Sequence, residues 1–410
     1  MKHLLEKLSV LLIVVAGCVA APAADSNEPA SHVPILAWHS IPESELSLDR
    51  FRELAEMGLT HSLMHYSPPG NARALDFAAQ TGVKLFVGDG RFGSPGDELK
   101  QAAESYRDHP ALAGYLLRDE PAVGAFAALA AARDALEAVD PDHWSYVNLL
   151  PTYANATQLG CATYPEHVRR FMLEFRPEVL SFDHYCILEG DRLRGDYFQN
   201  LEWIRQNALE FGTPFWAFSL TCPHKPYPVP TLGHIRFQVW SNFAYGAKGL
   251  QYFTYWTPQP GTWDFHDAPI RLDGTRSPTW EILKAFNQEV QACAGIILNS
   301  RAVAVYHTEP LPAGTRGLDK SSPFSSIDGG EAIVAVHQLP NEERYALVVN
   351  RSFTQTVTLR LTLQDWVKNV RDTQRPPGAE FRTLTNRQAT LHLPPGAPAF
   401  LRLNPSLHAN

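Results

Sequence analysis

The residues best suited to chemistry lie together in the segment Arg118–Pro121, which follows the apolar run Tyr115–Leu117. The apolar run predicts a buried strand, and the alanine-rich pattern over Ala122–Val139 predicts a helix after it. Barrels of alternating strands and helices carry their catalytic groups at the carboxyl ends of the strands, directly before the helices. The two carboxylates of this segment, Asp119 and Glu120, are therefore expected at the mouth of such a barrel.

A further carboxylate, Asp183, lies at the end of another predicted strand, Val179–Tyr185. Cleaving a glycosidic bond requires a protonated carboxyl that donates to the leaving oxygen and a second carboxylate beside the sugar ring. We assign Glu120 as the candidate general acid/base and Asp183 as the candidate second carboxylate. Asp119 would support them by orienting Glu120, by binding a hydroxyl group or by raising the pKa of Glu120. Since proline disfavours helical geometry in the residue before it, Pro121 should keep Glu120 at the strand end.

These residues are held by a repeated pattern of short apolar strand, polar tip and amphipathic helix. Eight such units in about 265 residues match a (β/α)8 barrel, and the alternation places the chain in the α/β class with a parallel sheet. An open doubly wound sheet is the structural alternative, but the sequence lacks the Gly-rich phosphate turn typical of that fold. The helix before the seventh strand is predicted over Asp191–Phe211. The strands are predicted over Pro34–His39, Thr60–Tyr66, Lys84–Gly88, Gly114–Leu117, Ser145–Leu150, Val179–Tyr185, Pro214–Leu220 and Gly249–Tyr255.

The pattern changes after about residue 299, where short alternating runs separated by Gly- and Pro-containing turns predict a small antiparallel β-sandwich. A chain of 410 residues is too long for one ordinary core, which agrees with two domains. The predicted organisation is a signal peptide over 1–24, a linker over 25–33, the barrel over 34–298 and the sandwich over 299–410. The runs in the sandwich are Arg301–His307, Glu331–Gln338, Tyr345–Asn350, Thr356–Leu363, Ala389–Leu393 and Ala399–Leu403.

The strand ends together predict a mouth of carboxylates, histidines and flat aromatic rings. Aromatic rings stack on the C–H faces of sugars, while the polar groups seek sugar hydroxyls. The histidines follow no metal-binding motif, so we expect neither a metal nor a cofactor. Trp263 and the loop Pro223–Pro230 could add a further platform and a wall. The predicted substrate-binding residues are Trp38, His39, His65, Tyr66, Asp89, Arg118, Asp119, Asn148, His184, Tyr185, Trp216, Tyr255 and Trp256.

At these residues the chain resembles the clan A glycoside hydrolases, the (β/α)8 group that includes many β-galactosidases and cellulases. In that group the fourth strand ends in Asn-Glu-Pro or a variant, and its Glu is the acid/base. Glu120 matches this Glu, and Asp119 replaces the Asn. The resemblance continues through GLQYFTYWTP and Asp273-Gly274-Thr275 into a C-terminal β-domain. It implies an O-glycosyl hydrolase acting on a poly- or oligosaccharide.

The resemblance has one departure, which concerns the nucleophile. The group's nucleophile is a Glu at the end of the seventh strand, whereas that strand here reads PFWAFSLTC and holds no carboxylate. Asp183 is the first candidate to replace this Glu, and Asp264, in the loop after the eighth strand, is the second. If Asp183 activates a water across a wide gap, the enzyme would be inverting. The alternative function is a non-catalytic carbohydrate-binding protein on a degenerate glycosidase barrel.

The N-terminus predicts export from a bacterial cell. Lys2 and Lys7 form a basic start, and Val10–Ala16 is an apolar stretch too short to span a bilayer. The small residues before Cys18 resemble a lipobox, which would make Cys18 a lipidated residue that tethers the protein to a membrane. Ordinary cleavage after one of the following alanines is the alternative. The expected location is therefore periplasmic, on the cell surface as a lipoprotein, or secreted.

The composition of the chain also limits the kinds of partner that the protein can bind. The net charge is −8 and no block of Lys or Arg is present, which argues against nucleic acid as a partner. The cysteines Cys161, Cys186, Cys222 and Cys293 follow no zinc-binding spacing. Cys186 and Cys222 end neighbouring predicted strands, so they could form a disulfide in an oxidising compartment or remain buried thiols.

Overall fold

The computed structural model describes residues 32–376, 378–385 and 387–404. The predicted signal peptide, with Cys18, lies outside these ranges. None of the helices in the described part of the chain combines the length and apolar character needed to cross a membrane. The predicted fold class, a (β/α)8 barrel followed by an all-β sandwich, is confirmed.

Eight parallel strands close into the barrel, and each sequence-predicted strand is present. Neighbouring strands around the barrel follow the order of the chain, so each strand–helix unit adds the next strand of the barrel. A small antiparallel hairpin, β7 (Ile187–Leu188) with β8 (Arg192–Leu193), is inserted after the sixth barrel strand. The barrel strands are β1 (Ile35–Trp38), β2 (His61–His65), β3 (Lys84–Gly88), β4 (Leu112–Asp119), β5 (Trp144–Leu149), β6 (Leu180–Phe182), β9 (Phe215–Leu220) and β10 (Gly249–Phe253).

Helices surround the barrel, and local sequence fixes their ends. The Ser67 hydroxyl accepts the backbone N–H of Gly70 at the start of the second helix, and Pro68 occupies its first turn. Gly212 ends the seventh helix in the left-handed conformation that glycine adopts without a Cβ penalty. The helices are α1 (Leu48–Glu56), α2 (Pro68–Thr81), α3 (Asp97–Tyr106), α4 (Phe126–Glu137), α5 (Ala156–Leu159), α6 (Tyr164–Glu174), α7 (Tyr197–Phe211), α8 (Leu232–Ala244), α9 (Pro278–Gln291) and α10 (Ala294–Asn299).

The barrel interior is packed with large side chains rather than hollow. Trp216 crosses it near the amino-terminal end of the strands, with its ring 5.5 Å from His61 and 5.6 Å from Trp144. A Cβ on Gly249 would lie 2.5 Å from the Trp216 ring, so glycine at the start of β10 makes room for this side chain. A second layer lies nearer the carboxyl ends of the strands, directly beneath the mouth. It is formed by Trp38 and Phe218, whose ring centroids are 5.2 Å apart.

Two antiparallel sheets form the sandwich. The five-stranded sheet has the order β11-β13-β14-β19-β16, and the four-stranded sheet has the order β12-β15-β18-β17. Three of these strands, β12, β16 and β17, were not among the predicted runs. The strands are β11 (Arg301–His307), β12 (Phe324–Asp328), β13 (Ala332–Gln338), β14 (Arg344–Asn350), β15 (Val357–Leu363), β16 (Val370–Gln374), β17 (Glu380–Thr385), β18 (Gln388–Leu393) and β19 (Pro398–Leu403).

The five-stranded sheet is apolar on both faces because it belongs to two cores. In β14, Leu347 and Val349 join the core of the barrel, whereas Ala346 and Val348 join the core between the two sheets. Residues along a strand alternate between its faces, so one strand serves both domains. At this interface the ring of Trp240 on α8 packs 5.9 Å from that of Phe400 on β19. The sandwich therefore supports α8 directly.

Candidate active site

A β-bulge in β4 aims the first carboxylate of the site. Leu116 pairs with Tyr146 of β5, but the next pair is Arg118 with Val147, so Leu117 is an extra residue in β4. Leu116 and Tyr146 both face the barrel interior. Without the extra residue, alternation would turn Asp119 outward; with it, Asp119 pairs with the inward-facing Asn148.

The backbone then turns sharply at Glu120 and keeps its carboxyl at the same mouth. Glu120 has a φ of 46°, in the left-handed region, and its N–H donates to the carbonyl of Asn148 at 2.8 Å. The extended geometry expected before Pro121 is replaced by this left-handed one. Residues other than glycine hold such a conformation only where surrounding contacts impose it, and they cluster at functional sites. His39, at the end of β1, has a similar φ of 47°.

Asn148 connects the carboxylates of β4 and β6. Its side-chain amide donates to Asp119 and to Asp183, each at 3.1 Å. Its oxygen accepts the hydroxyl of Ser181 at 2.9 Å, and that hydroxyl in turn accepts the amide of Gln251 at 2.8 Å. Because the side-chain oxygen of Asn148 already accepts the Ser181 hydroxyl, the NH₂ group must face the carboxylates.

The third contact in this cluster is a hydrogen bond between the carboxyl groups of Asp183 and Glu120. Burial, with the added charges of Glu120 and Asp119, raises the pKa of Asp183 well above its usual range. Burial and the charge of Asp119 also raise the pKa of Glu120, while the hydrogen bond from Asp183 opposes this rise. The proton therefore resides mainly on the buried Asp183, which donates to Glu120. Burial also raises the pKa of Asp119, whose side chain remains partly open to the mouth.

The carboxylates line a cavity of about 370 Å³ at the carboxyl end of the barrel, a size typical of small-molecule sites. The other walls are mostly aromatic. Trp263, half exposed, packs edge-on to His224 at 5.7 Å, and Phe265 packs at 4.6 Å from the same imidazole. A larger hollow of about 550 Å³ lies instead near the amino-terminal start of β9, away from the carboxylates.

Six of the predicted site residues meet in this cavity. They are Trp38, Asp119, Glu120, Asn148, Asp183 and Tyr185. The remaining predicted residues are not among those lining it.

His39 and His65 lie beside the cluster rather than in the cavity wall. The charge of His65 opposes the rise that burial causes in the pKa of Asp119. Burial and then the charge of His65 lower the pKa of His39 to about 4. His39 is therefore neutral near pH 7. Arg118 is exposed at the end of β4, outside the cavity lining.

Three other predicted residues serve nearby structure. The Tyr66 hydroxyl donates to the carbonyl of Ile41 at 2.7 Å. Asp89 accepts Arg91 at 2.6 Å and the Tyr106 hydroxyl at 3.0 Å, which holds its carboxylate against its own loop. His184 is buried with its ring 3.4 Å from a carboxylate oxygen of Asp196 on the adjoining loop.

The three predicted rings Trp216, Tyr255 and Trp256 correct the expectation of a mouth lined by them. All three are almost fully buried in the barrel or its outer core. Trp216 is inward-facing but lies too near the amino-terminal end, and Tyr255 and Trp256 follow β10 on its outer side. The Arg50 guanidinium covers the Trp256 ring at 5.0 Å. Aromatic residues at strand ends can either pack in a core or form a platform for a sugar. Only the strand register, which sets the direction of each side chain, distinguishes the two.

The cavity also contains residues that the sequence analysis did not assign. Trp263 and Tyr227 were noted only as a further platform and a wall, and Asp264 as a reserve carboxylate. Asp264 instead accepts the backbone N–H of Lys225 at 2.8 Å and joins two loops. His224 and Pro226, in the loop predicted as a wall, also line the cavity. The unassigned lining residues come from loops and from inward strand positions, namely Tyr153, Arg194, Phe218, Phe253 and Phe265. No local sequence motif marks these residues.

The two cysteines that could have formed a disulfide, Cys186 and Cys222, are free buried thiols.

Comparison with known proteins agrees with this architecture. No protein-family model matches the chain, and no curated protein matches it significantly. Among solved structures, a β-galactosidase from Bacillus circulans sp. alkalophilus is similar with a TM-score of 0.62 at 10% identity, covering 92% of this chain and 100% of that one. A catalytic mutant of a GH42 β-galactosidase from G. stearothermophilus gives 0.56 at 9% identity, covering 91% and 98%.

A cold-adapted β-galactosidase from a Rahnella species gives a TM-score of 0.53 at 13% identity, covering 68% of this chain. The chain spans 58% of the Rahnella enzyme and 60% of a β-galactosidase from a psychrophilic Marinomonas. At these identities the likeness is one of fold. The chain thus has the (β/α)8 fold on which these glycoside hydrolases are built.

Proposed function

We propose that the protein hydrolyses O-glycosidic bonds in a poly- or oligosaccharide. The observation that carries the proposal is the hydrogen-bonded pair Glu120 and Asp183, which sits with Asp119 in an aromatic-walled cavity at the carboxyl end of a barrel. Barrel enzymes place their chemistry at this end. Aromatic walls suit sugar faces, and a carboxyl whose pKa is raised by burial and neighbouring charge suits donation to a leaving oxygen.

In this proposal the proton stored on Asp183 passes along the hydrogen bond to Glu120, which faces the opening. Glu120 then protonates the glycosidic oxygen as the bond to the sugar breaks. The charge of Asp119 supports this step because it keeps the pKa of Glu120 raised. Asp119 and the ionised Asp183 would then stabilise the positive charge that develops on the sugar ring.

The spacing of the pair argues against the inverting mechanism considered from the sequence. A direct hydrogen bond requires oxygens about 3 Å apart, whereas inverting enzymes keep their carboxyl groups about 6.5–9.5 Å apart to admit a water. Carboxyl groups in direct contact leave no room for a sugar ring and a water between them, so we assign both groups to proton transfer. A water molecule supplies the oxygen that attacks the sugar, and the ionised pair takes up the proton that this water loses, which restores its starting state.

The test is release of reducing ends from a broad panel of glycans, with wild type compared with Glu120→Gln. Loss of turnover by about 10²–10⁴-fold in the variant, with binding retained, is the expected result. Asp89→Asn is the matched control, because Asp89 also ends a barrel strand but is held by Arg91 outside the cavity. Equal turnover in wild type and Glu120→Gln would refute the assignment.

A second candidate function is a carbohydrate-binding protein without turnover. It is favoured by the apolar end of β9, at Leu220, where the group that the chain resembles has its nucleophile. Under this alternative, no glycan in the panel is cleaved by wild type, and at least one binds with equal affinity to wild type and to Glu120→Gln.

We also propose that the protein is exported, on the basis of the basic start, the short apolar stretch and Cys18. Metabolic labelling with palmitate tests lipidation of Cys18 directly. Incorporation that disappears in Cys18→Ser supports a tethered lipoprotein. An unlabelled protein found outside the cytoplasm supports ordinary cleavage instead.

A further inference from the structure

We propose that Arg194 forms an anion-binding subsite, so that the substrate is a glycan carrying a carboxylate or a sulfate group. The inference rests on the proposed function and adds the substrate's charge to it. Arg194 follows the β7–β8 hairpin and lines the same cavity as Asp119, Glu120 and Asp183. It is the only Lys or Arg among the described residues that line this cavity.

The guanidinium of Arg194 is held in place by uncharged partners. Its Nε donates to the carbonyl of Tyr185 at 3.1 Å, and one Nη donates to the hydroxyl of Tyr227 at 3.1 Å. The ring of Tyr153 lies 4.2 Å from the guanidinium carbon, and the ring of Tyr227 lies 5.7 Å from it. These contacts fix the plane of the group while leaving other N–H donors of its five uncommitted.

The charge of Arg194 has no carboxylate partner among the described residues. In the part of the chain that the structure describes, the other partly or fully buried arginines are each within ion-pair distance of an Asp or Glu, which is how buried charge is usually compensated. The exception is the one arginine that faces the cavity. Within those described ranges, the paired arginines are Arg50, Arg91, Arg133, Arg170, Arg205, Arg236, Arg271, Arg351 and Arg402.

A planar guanidinium with free donors binds carboxylate and sulfate oxygens through two parallel hydrogen bonds. An anionic substrate would otherwise be repelled by the carboxylates of the cavity. The geometry therefore offers one cationic position in an otherwise acidic and aromatic cavity.

The experiment compares matched glycans that differ only in charge. One pair is a uronic-acid polysaccharide and its carboxyl-reduced form, and the other is a sulfated polysaccharide and its desulfated form. Binding of oligosaccharides from each is measured by calorimetry on Glu120→Gln, with and without Arg194→Met. Cleavage of each is measured on otherwise wild-type protein. Whichever pair shows the difference identifies carboxylate or sulfate as the ligand.

The expected result is binding of the charged member that weakens about 10- to 100-fold in Arg194→Met, mostly as a rise in KM where cleavage is seen. Binding of the neutral member should change less than about threefold. Arg194→Lys should recover part of the affinity, since it keeps the charge without the fork. Arg192→Met is the control, because Arg192 is exposed on β8, donates to the Glu189 carbonyl and does not line the cavity.

Two outcomes separate this inference from the proposed function. Cleavage of neutral and charged members at equal efficiency, unchanged by Arg194→Met, overturns the anionic subsite while the hydrolase stands. Selective binding of a charged member without cleavage of any glycan supports the subsite and overturns the hydrolase. Equal thermal unfolding of Arg194→Met and Arg192→Met shows that the comparison reports binding. If Arg194→Met unfolds earlier, Arg194→Gln replaces it, because glutamine removes the charge and keeps an amide that can donate hydrogen bonds.

Discussion

The carboxyl of Asp183 is hydrogen-bonded to the carboxylate of Glu120, although one residue follows the sixth barrel strand and the other follows the fourth. Asp183 is almost fully buried, whereas Glu120 keeps part of its side chain at the opening. Asn148, between them in the barrel, donates to Asp183 and fixes its orientation. The pair therefore combines a protected proton with an accessible carboxyl.

The first prediction concerns the pH dependence of turnover. Asp119→Asn removes a negative charge that raises the pKa values of both Glu120 and Asp183. Both pKa values should then fall, and the basic limb of the kcat/KM profile should move to lower pH. Profiles of wild type and variant on one cleaved glycan measure the shift. A basic limb that stays in place, or moves upward, would contradict the charge coupling.

A second prediction concerns the stability of the fold against pH. The pKa of Asp183 is raised in the folded state, so the folded protein favours the protonated form. That contribution is complete below the unfolded pKa of about 3.9 and is lost as the pH rises through the raised folded value. Wild type should therefore lose stability relative to Asp183→Asn as the pH rises above about 4. Thermal unfolding of both proteins across this range measures the difference, and parallel curves would count against the raised pKa.

A third prediction separates a sugar platform from a packed ring. Trp263 lines the cavity and is half exposed, so Trp263→Ala should raise KM about tenfold while leaving stability nearly unchanged. Trp216 is 2% exposed inside the barrel, so Trp216→Ala should cost about 3–5 kcal/mol of unfolding free energy. Steady-state kinetics and chemical denaturation measure the two effects. The prediction fails if Trp263→Ala destabilises as much as Trp216→Ala does.

The fourth prediction concerns the interface between barrel and sandwich. A Cβ on Gly233 in α8 would lie 2.3 Å from the carbonyl oxygen of Phe353, so Gly233→Ala should destabilise the protein by about 1–3 kcal/mol. A Cβ on Gly295 in α10 would instead lie in open space, with no atom within 4 Å. Gly295→Ala should therefore be neutral or stabilising by up to about 1 kcal/mol. Thermal unfolding compares the two; an equal effect of both substitutions would show that the contact yields without cost.

Much of the architecture is local in origin and was predictable from the sequence. Short apolar runs alternate with amphipathic helices, and side-chain periodicity distinguishes the two without reference to distant residues. The predicted helix over Asp191–Phe211 begins later, at Tyr197, because the β7–β8 hairpin takes its first residues. Strands β12 and β16 were missed because their burial patterns are irregular or weak and depend on partners far along the chain. Strand β17, which pairs with the neighbouring β18, was missed because its segment EFRTLT lacks a clear alternation of apolar and polar residues.

The sequence by itself determined the barrel, the sandwich and the presence of Asp119, Glu120 and Asp183 at strand ends, because these follow from periodicity and chain order. Only the tertiary structure decided which way each side chain faces. The bulge at Leu117 turns Asp119 inward, and one strand register leaves Trp216 inside the barrel. A single-residue shift in register reverses the face of every side chain, and the energy that fixes it comes from partners distant in sequence.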